Sequence, residues 1–172
     1  MPLPLSGSFG MYDVNVELGN SATASLDLNN GNVRNLANIP SGAIGFSDLR
    51  GSLKMSMGYA YAYSTYYTLI QASYGYYASQ YGGVTNTSFR DGKTLYYMTD
   101  IVSYGYYSFN VAISGFSSNP GITGYFTSVK KHGGTSFNAS AASYSYGAGY
   151  GYWTWSGSTG FTTSGTAWCK FT

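Results

Sequence analysis

The sequence predicts a mainly β protein, in which a short α-helical N-terminal module is followed by an antiparallel β-sandwich or barrel-like domain. Three observations carry this reading. Apolar residues fall at helical spacing in the early part of the chain, they alternate with period two from Lys54 onward, and turn dipeptides then recur at short intervals. Aromatic residues mark the same division, since Phe9, Tyr12 and Phe46 are the only ones before Leu53. The boundary is placed there, giving an N-terminal module of residues 1–53 and a Gly/Tyr-rich β domain of residues 54–172.

The N-terminal module writes one phrase twice, SGSFGMYDV at 6–14 and SGAIGFSDL at 41–49. In the first copy Met11, Val14 and Leu18 sit at helical spacing, and Gly19 follows where a left-handed cap closes a helix, so a two-turn helix is expected. The second copy reads alike, with Phe46 and Leu49 three apart and Gly51 closing the segment. Asp13 and Asp48 fall in the first turn, where free amides and the helix dipole favour a carboxylate. Phe9 and Ile44 precede each helix and are placed to staple its entry. Between the copies, Ala24 to Leu28 reads as a strand, and a short helix with Val33, Leu36 and Ala37 on one side is expected to stop at Pro40. A piece of about fifty residues with few large apolar side chains buries too little surface to be robust alone. It is expected to gain order by sitting on something else.

In the β domain, Met55, Met57, Tyr59, Tyr61 and Tyr63 alternate with small residues, as do Tyr107, Phe109, Val111 and Ile113. Further strands are expected near Thr94 to Val102, Ile122 to Lys130, Ser136 to Tyr146, Tyr150 to Trp155 and Ala167 to Phe171, with Asp91-Gly92 as the best hairpin turn. SYGYY occurs at 73–77 and again at 103–107, which suggests two equivalent strand pairs.

Charged residues make up 8% of the 172, while 20 Tyr and 24 Gly stand in their place, so the surface is neutral and rich in hydroxyls. Such a surface repels its own copies weakly, and coverage by partners, as a homo-oligomer or as repeated copies in an assembly, is expected. The net charge of +2 rests on scattered basic residues, of which only Lys130 and Lys131 adjoin, and this excludes nucleic acid as the expected partner. The start MPLPLSGSFG lacks the basic and apolar regions of a secretion signal, and no run approaches a membrane span, so cytoplasmic synthesis without membrane insertion is expected.

Acid and base groups are sparse. Asp13 and Asp48 suit helix starts, Asp27 lies just ahead of the middle helix, Asp91 suits a turn, and Asp100 is read with Asp91 as solvated surface rather than as a glycosidase pair. His132, between Lys131 and Gly133-Gly134, is read as part of an exposed loop; no G-x-S-x-G elbow accompanies it. One His and one Cys far apart do not make a metal site, and Cys169, in phase with Ala167 and Phe171, reads as a buried small apolar residue. No enzyme activity and no cofactor are expected. The segment YGAGYGYWTW offers a platform on which Tyr150, Tyr152, Trp153 and Trp155 stack against a glycan. The preferred alternative makes the Trp face core and leaves Tyr150 and Tyr152 wet or in an intersubunit contact. Asn86-Thr-Ser and Asn138-Ala-Ser match the glycosylation triplet and, with no secretion signal, are read as accidental.

The opening MPLPLSG, the paired phrase Ser-Gly-x-Ile/Phe-x-x-x-Asp-Leu/Val and the intervening LNNGNVRNLANIPSGAI resemble the N-terminal module of small virion structural proteins of tailed bacteriophages, over residues 1 to about 53. The family pattern has Ser where this chain has Gly10 and Gly45. The resemblance implies a tail, baseplate or tail-fibre component, made in the bacterial cytoplasm and located in the virion, with other virion proteins as partners and a host-surface glycan as a further one. On that reading the paired elements dock a neighbouring subunit through Phe9, Met11, Asp13, Val14, Leu18, Ile44, Phe46, Asp48 and Leu49.

Overall fold

The computed structural model describes residues 3–63, 69–85, 87–89 and 91–172, with backbone alone at Leu69 and Ile70. The first copy of the repeated phrase forms helix α1 (Met11–Leu18), closed by Gly19 in the left-handed conformation at φ 82°. Helix α2 (Gly31–Ala37) starts at Asn30, whose side chain accepts from the Asn32 amide, and buries Val33, Leu36 and Ala37 as their spacing requires. It ends before Pro40 because Asn38 adopts the left-handed conformation at φ 60°.

Two local expectations are corrected. Ala24 to Leu28 is not a strand: the buried Asn15 amide of α1 donates to Ala22 O (3.3 Å) and Ala24 O (2.8 Å), so a side chain takes the place of a ladder neighbour. The second phrase forms a single 3₁₀ turn (Phe46–Leu49), because Arg50 leaves helical geometry and the chain must enter the first strand at once. Gly51, at φ 67°, makes that entry: a Cβ there would lie 2.0 Å from Phe171 O.

Eleven strands are present among the described residues: β1 (Ser52–Ser56), β2 (Gly58–Tyr63), β3 (Leu69–Tyr77), β4 (Gly83–Val84), β5 (Thr94–Ser103), β6 (Tyr106–Ser114), β7 (Ser128–Lys131), β8 (Ser136–Asn138), β9 (Ser143–Gly147), β10 (Tyr150–Ser156) and β11 (Thr166–Phe171). They form two antiparallel sheets, one in the order β4-β1-β11-β7-β8 and the other β2-β3-β5-β6-β10-β9. β1 straddles the expected boundary, and Leu53 joins the β core. The expected strand at Ile122 to Lys130 is ordered as β7 only at its end, and the one at Ser136 to Tyr146 is split by a 3₁₀ turn (Ala139–Ala141) that carries the chain from one sheet to the other. The two SYGYY copies are not equivalent either. Ser73–Tyr77 lies within β3, whereas Tyr104 and Gly105 take positive φ and turn β5 into β6. Asp91-Gly92 does make a tight turn, with Phe89 N donating to Lys93 O and Asp91 Oδ1 accepting from Lys93 N.

The inward faces of both sheets meet in one core: Leu53, Met55, Ala167, Cys169 and Phe171 from the first sheet, and Leu95, Met98, Phe109, Val111, Ile113, Trp153 and Trp155 from the second. The arrangement is sandwich-like. Both core indoles are satisfied, Trp153 Nε1 donating to Ile122 O at 2.8 Å and Trp155 Nε1 to Asn138 O at 2.7 Å.

What the N-terminal residues sit on is the chain's own first sheet. Leu3, Val14, Leu18, Val33, Leu36, Ala37 and Leu49 form a second cluster against Trp168, which alternates outward between Ala167 and Cys169 on β11. Lys54, outward on β1, seals the edge: its ammonium donates to Leu18 O at 2.8 Å and its amide to Glu17 Oε1 at 2.6 Å. Lys170 Nζ donates to Asp48 O in the same way. The apolar mass that this piece lacks is thus supplied by β1 and β11.

Candidate functional site

Two surfaces merit description, and the first is where the repeated phrases meet. Each phrase builds one device: the Gly10 amide donates to Asp13 Oδ2 at 2.9 Å, and the Gly45 amide to Asp48 Oδ2 at 2.8 Å. The carboxylate therefore reaches back to the residue that opens the turn, half of a capping box, with glycine leaving the other half empty. Asp13 and Asp48 are occupied in this way. Val14, Leu18 and Leu49 are buried in the chain's own second cluster, so these three side chains are not presented to a neighbour, while Asp13 and Asp48 remain half-buried. Phe9, Met11 and Ile44 are half-buried, and Phe46 is 39% exposed. Phe9 and Phe46 meet edge to face, centroids 5.6 Å apart, and the Arg50 guanidinium lies 5.4 Å over the Phe9 ring while donating to Gly7 O.

The second surface is the outward face of the six-stranded sheet. Period two on β10 turns Trp153 (0% exposed) and Trp155 (4%) inward, so neither belongs to a glycan platform, whereas Tyr150 and Tyr152 point outward and stack at 5.8 Å. There they meet tyrosines from other strands. Tyr152 approaches Tyr97 of β5 at 6.4 Å, Tyr97 stacks on Tyr77 of β3 at 5.4 Å, and Tyr77 stacks on Tyr81 at 6.0 Å. Ala112, between Tyr97 and Tyr152 in register, is fully buried. A bulge on β5 shifts the register between Leu95 and Tyr97, and Tyr96 contacts Tyr77, Tyr97 and Tyr150. Alternation alone gives no sign of a bulge, which is why Tyr96 and Tyr97 escape a reading of the sequence.

Beside this row lies a groove of ≈ 330 Å³, walled by Tyr77, Tyr81 and Tyr97, bordered on β2 by Ala60 and Ala62, and floored by Gln71, Ser73, Thr99 and Asn110. No lining residue is charged. Asn110 is held by Thr154 Oγ1, which donates to its Oδ1 at 2.9 Å, while its own amide donates to Ser108. Burial, then the neighbouring Tyr152, Tyr77 and Tyr96, push the Tyr97 phenol up to about 12. A hydrogen bond with Tyr96, then burial, raises Tyr77. Both rings are neutral donors and acceptors near neutral pH.

The isolated acid and base groups are placed differently from the expectation. Asp100 is not solvated surface: it is 2% exposed and accepts from Ser158 Oγ, Thr159 N, Thr159 Oγ1 and Phe161 N at 2.7–2.9 Å. Its phase with Met98 on β5 was the available signal. His132 is not an exposed loop residue: it is half-buried beside Asn35, Ile39 and Trp168, and burial lowers its pKa to about 4. Cys169 is buried, its thiol pushed up to about 12 by burial. No group of three or more His, Cys, Asp or Glu among the described residues is placed to hold a metal, and no helix there is long and apolar enough to cross a membrane. Asn86 of the first glycosylation triplet lies outside the described residues.

No known family model, curated protein or solved structure matches this chain.

Proposed function

We propose that this chain is a non-catalytic assembly component, attached through its N-terminal region and presenting its β domain outward. More particularly, it is a structural protein of a tailed bacteriophage virion, in the tail, baseplate or fibre, located in the virion after synthesis in the host cytoplasm. The viral half of this reading rests on the resemblance of residues 1 to about 53. The observation that carries the assembly half is the meeting of Phe9 with Phe46: the two phrases put a half-buried and an exposed phenylalanine side by side, with Met11 and Ile44 flanking. Adjacent, partly accessible aromatics of this kind suit a subunit contact.

Repeated copies are favoured by β2, an edge strand whose sequence GYAYAY carries neither charge nor proline to discourage pairing with another strand. A second reading, a receptor-binding or carbohydrate-binding module, is favoured by the tyrosine-lined groove and is compatible with the first.

The test is particle incorporation of a Phe9→Asp/Phe46→Asp double variant. Phe9 packs on the edge of the second cluster, so Phe46→Asp alone is the control that should keep its melting temperature within a few degrees of the parent's, while copy number in purified particles falls at least tenfold in the double variant and measurably in the single one. Incorporation at the parental level would refute the docking role.

A further inference from the structure

We infer that the groove on the outward face of the six-stranded sheet binds a neutral oligosaccharide, one sugar ring lying against Tyr77 and Tyr97 and the chain continuing along Tyr152 and Tyr150. The inference rests on the carbohydrate-binding reading above and names its ligand class and residues.

Three features converge. The first is shape: the groove has the volume of a small-ligand site and is partly open to solvent. The second is the combination of walls and floor. Tyrosine rings present flat, polarizable faces to the C–H faces of a pyranose. Beneath them the Gln71 and Asn110 amides and the Ser73 and Thr99 hydroxyls supply both donors and acceptors, the pattern that vicinal sugar hydroxyls require. Gln71 Nε2 already donates to Ser73 Oγ at 3.4 Å and the Asn110 amide to Ser108, so the floor meets a ligand with polar groups whose orientation is set beforehand.

The third feature is charge. With no charged residue in the lining and its Tyr97 and Tyr77 phenols neutral near pH 7, the groove offers no counter-ion to a sialic acid, a uronate or a sulfate. Stripping an anion of water there is penalised without compensation. Stacked rings make the platform rigid before the ligand arrives: the centroids from Tyr81 through Tyr77, Tyr97 and Tyr152 to Tyr150 are spaced 6.0, 5.4, 6.4 and 5.8 Å. Little side-chain freedom remains to be lost on binding.

The experiment is a screen of the full chain against immobilised neutral oligosaccharides of hexose and N-acetylhexosamine, alongside sialylated, uronic and sulfated ones, followed by calorimetry on the hits. Binding of neutral members is expected. It should weaken at least tenfold in Tyr97→Ser and in Ala60→Trp, which fills the groove from β2 without removing a core side chain. Tyr104→Ala, on the distant β5–β6 turn, should leave it unchanged. Should Tyr97→Ser fail to fold, Ala60→Trp carries the test alone. Binding confined to acidic glycans would overturn the ligand class while leaving a carbohydrate module standing. Binding that Ala60→Trp leaves intact would overturn the site, and a folded protein that binds no glycan would overturn both the inference and the reading beneath it.

Discussion

The main-chain amide of Lys54 donates to Glu17 Oε1 at 2.6 Å, so that a buried carboxylate on α1 holds the first strand of the sandwich. The burial of that carboxylate makes the attachment of the N-terminal residues depend on pH.

Burial, the largest influence, raises the Glu17 pKa from 4.5 to about 7, despite the Lys54 amide working the other way. Its folded pKa exceeds its unfolded one, so the stability that Glu17 contributes is complete below pH 4.5 and is lost as pH rises through about 7, a difference of roughly 3 kcal/mol at most. His132 has the opposite sign. Burial lowers it from 6.5 to about 4, so its contribution is complete above pH 6.5 and is lost as pH falls through about 4. Between pH 4.5 and 6.5 the two oppose each other. Urea unfolding midpoints measured across that window should rise with pH in Glu17→Gln and fall with pH in His132→Asn. Parallel slopes in the two variants would contradict this account.

The glycine at each phrase's helix start leaves an acceptor missing. Gly10 and Gly45 have extended backbone, and a Cβ at Gly10 meets nothing within 4 Å, so serine fits there without strain. Gly10→Ser should stabilise by about 0.5 kcal/mol and Gly45→Ser by a similar amount, each through a hydroxyl that accepts a free first-turn amide. Gly51→Ala should instead prevent stable folding, because its Cβ would strike Phe171 O and its φ of 67° disfavours any side chain. Thermal melts of the three variants check both signs.

Asp100 is the strongest polar clamp in the sandwich. Replacing it with Ala leaves two buried main-chain amides, of Thr159 and Phe161, without their acceptor. A loss of about 3–5 kcal/mol is expected, with the loop around Ser158 becoming the first site of limited proteolysis. A melting temperature within two or three degrees of the parent's would show that other groups recover those amides.

The groove and the N-terminal region were legible in the sequence to different degrees. Alternation placed β5, β6, β10 and β11 and told that Trp153 and Trp155 share a face, but parity does not say which face is core. The sheet partners decide that, and they turned the tryptophans inward. Tyr150 and Tyr152 were visible as candidates, while Tyr77 and Tyr97 became their neighbours only when β3, β5, β6 and β10 lined up in register. The same holds for His132, whose two following glycines suggest exposure until α2 packs beside it.

By itself the sequence determined the local devices: Asp13 in the first turn of α1, the α2 face of Val33 and Leu36, the Asp91-Gly92 turn and the period-two strands. Each depends on neighbours within a few residues. Only the tertiary structure decided where those devices are used, folding the repeated phrases onto Trp168 and Lys54 of the same chain and gathering six tyrosines on one outward face. Those outcomes depend on strand order, register and one bulge, which arise from contacts between residues far apart in the chain and leave no periodic trace within any one segment.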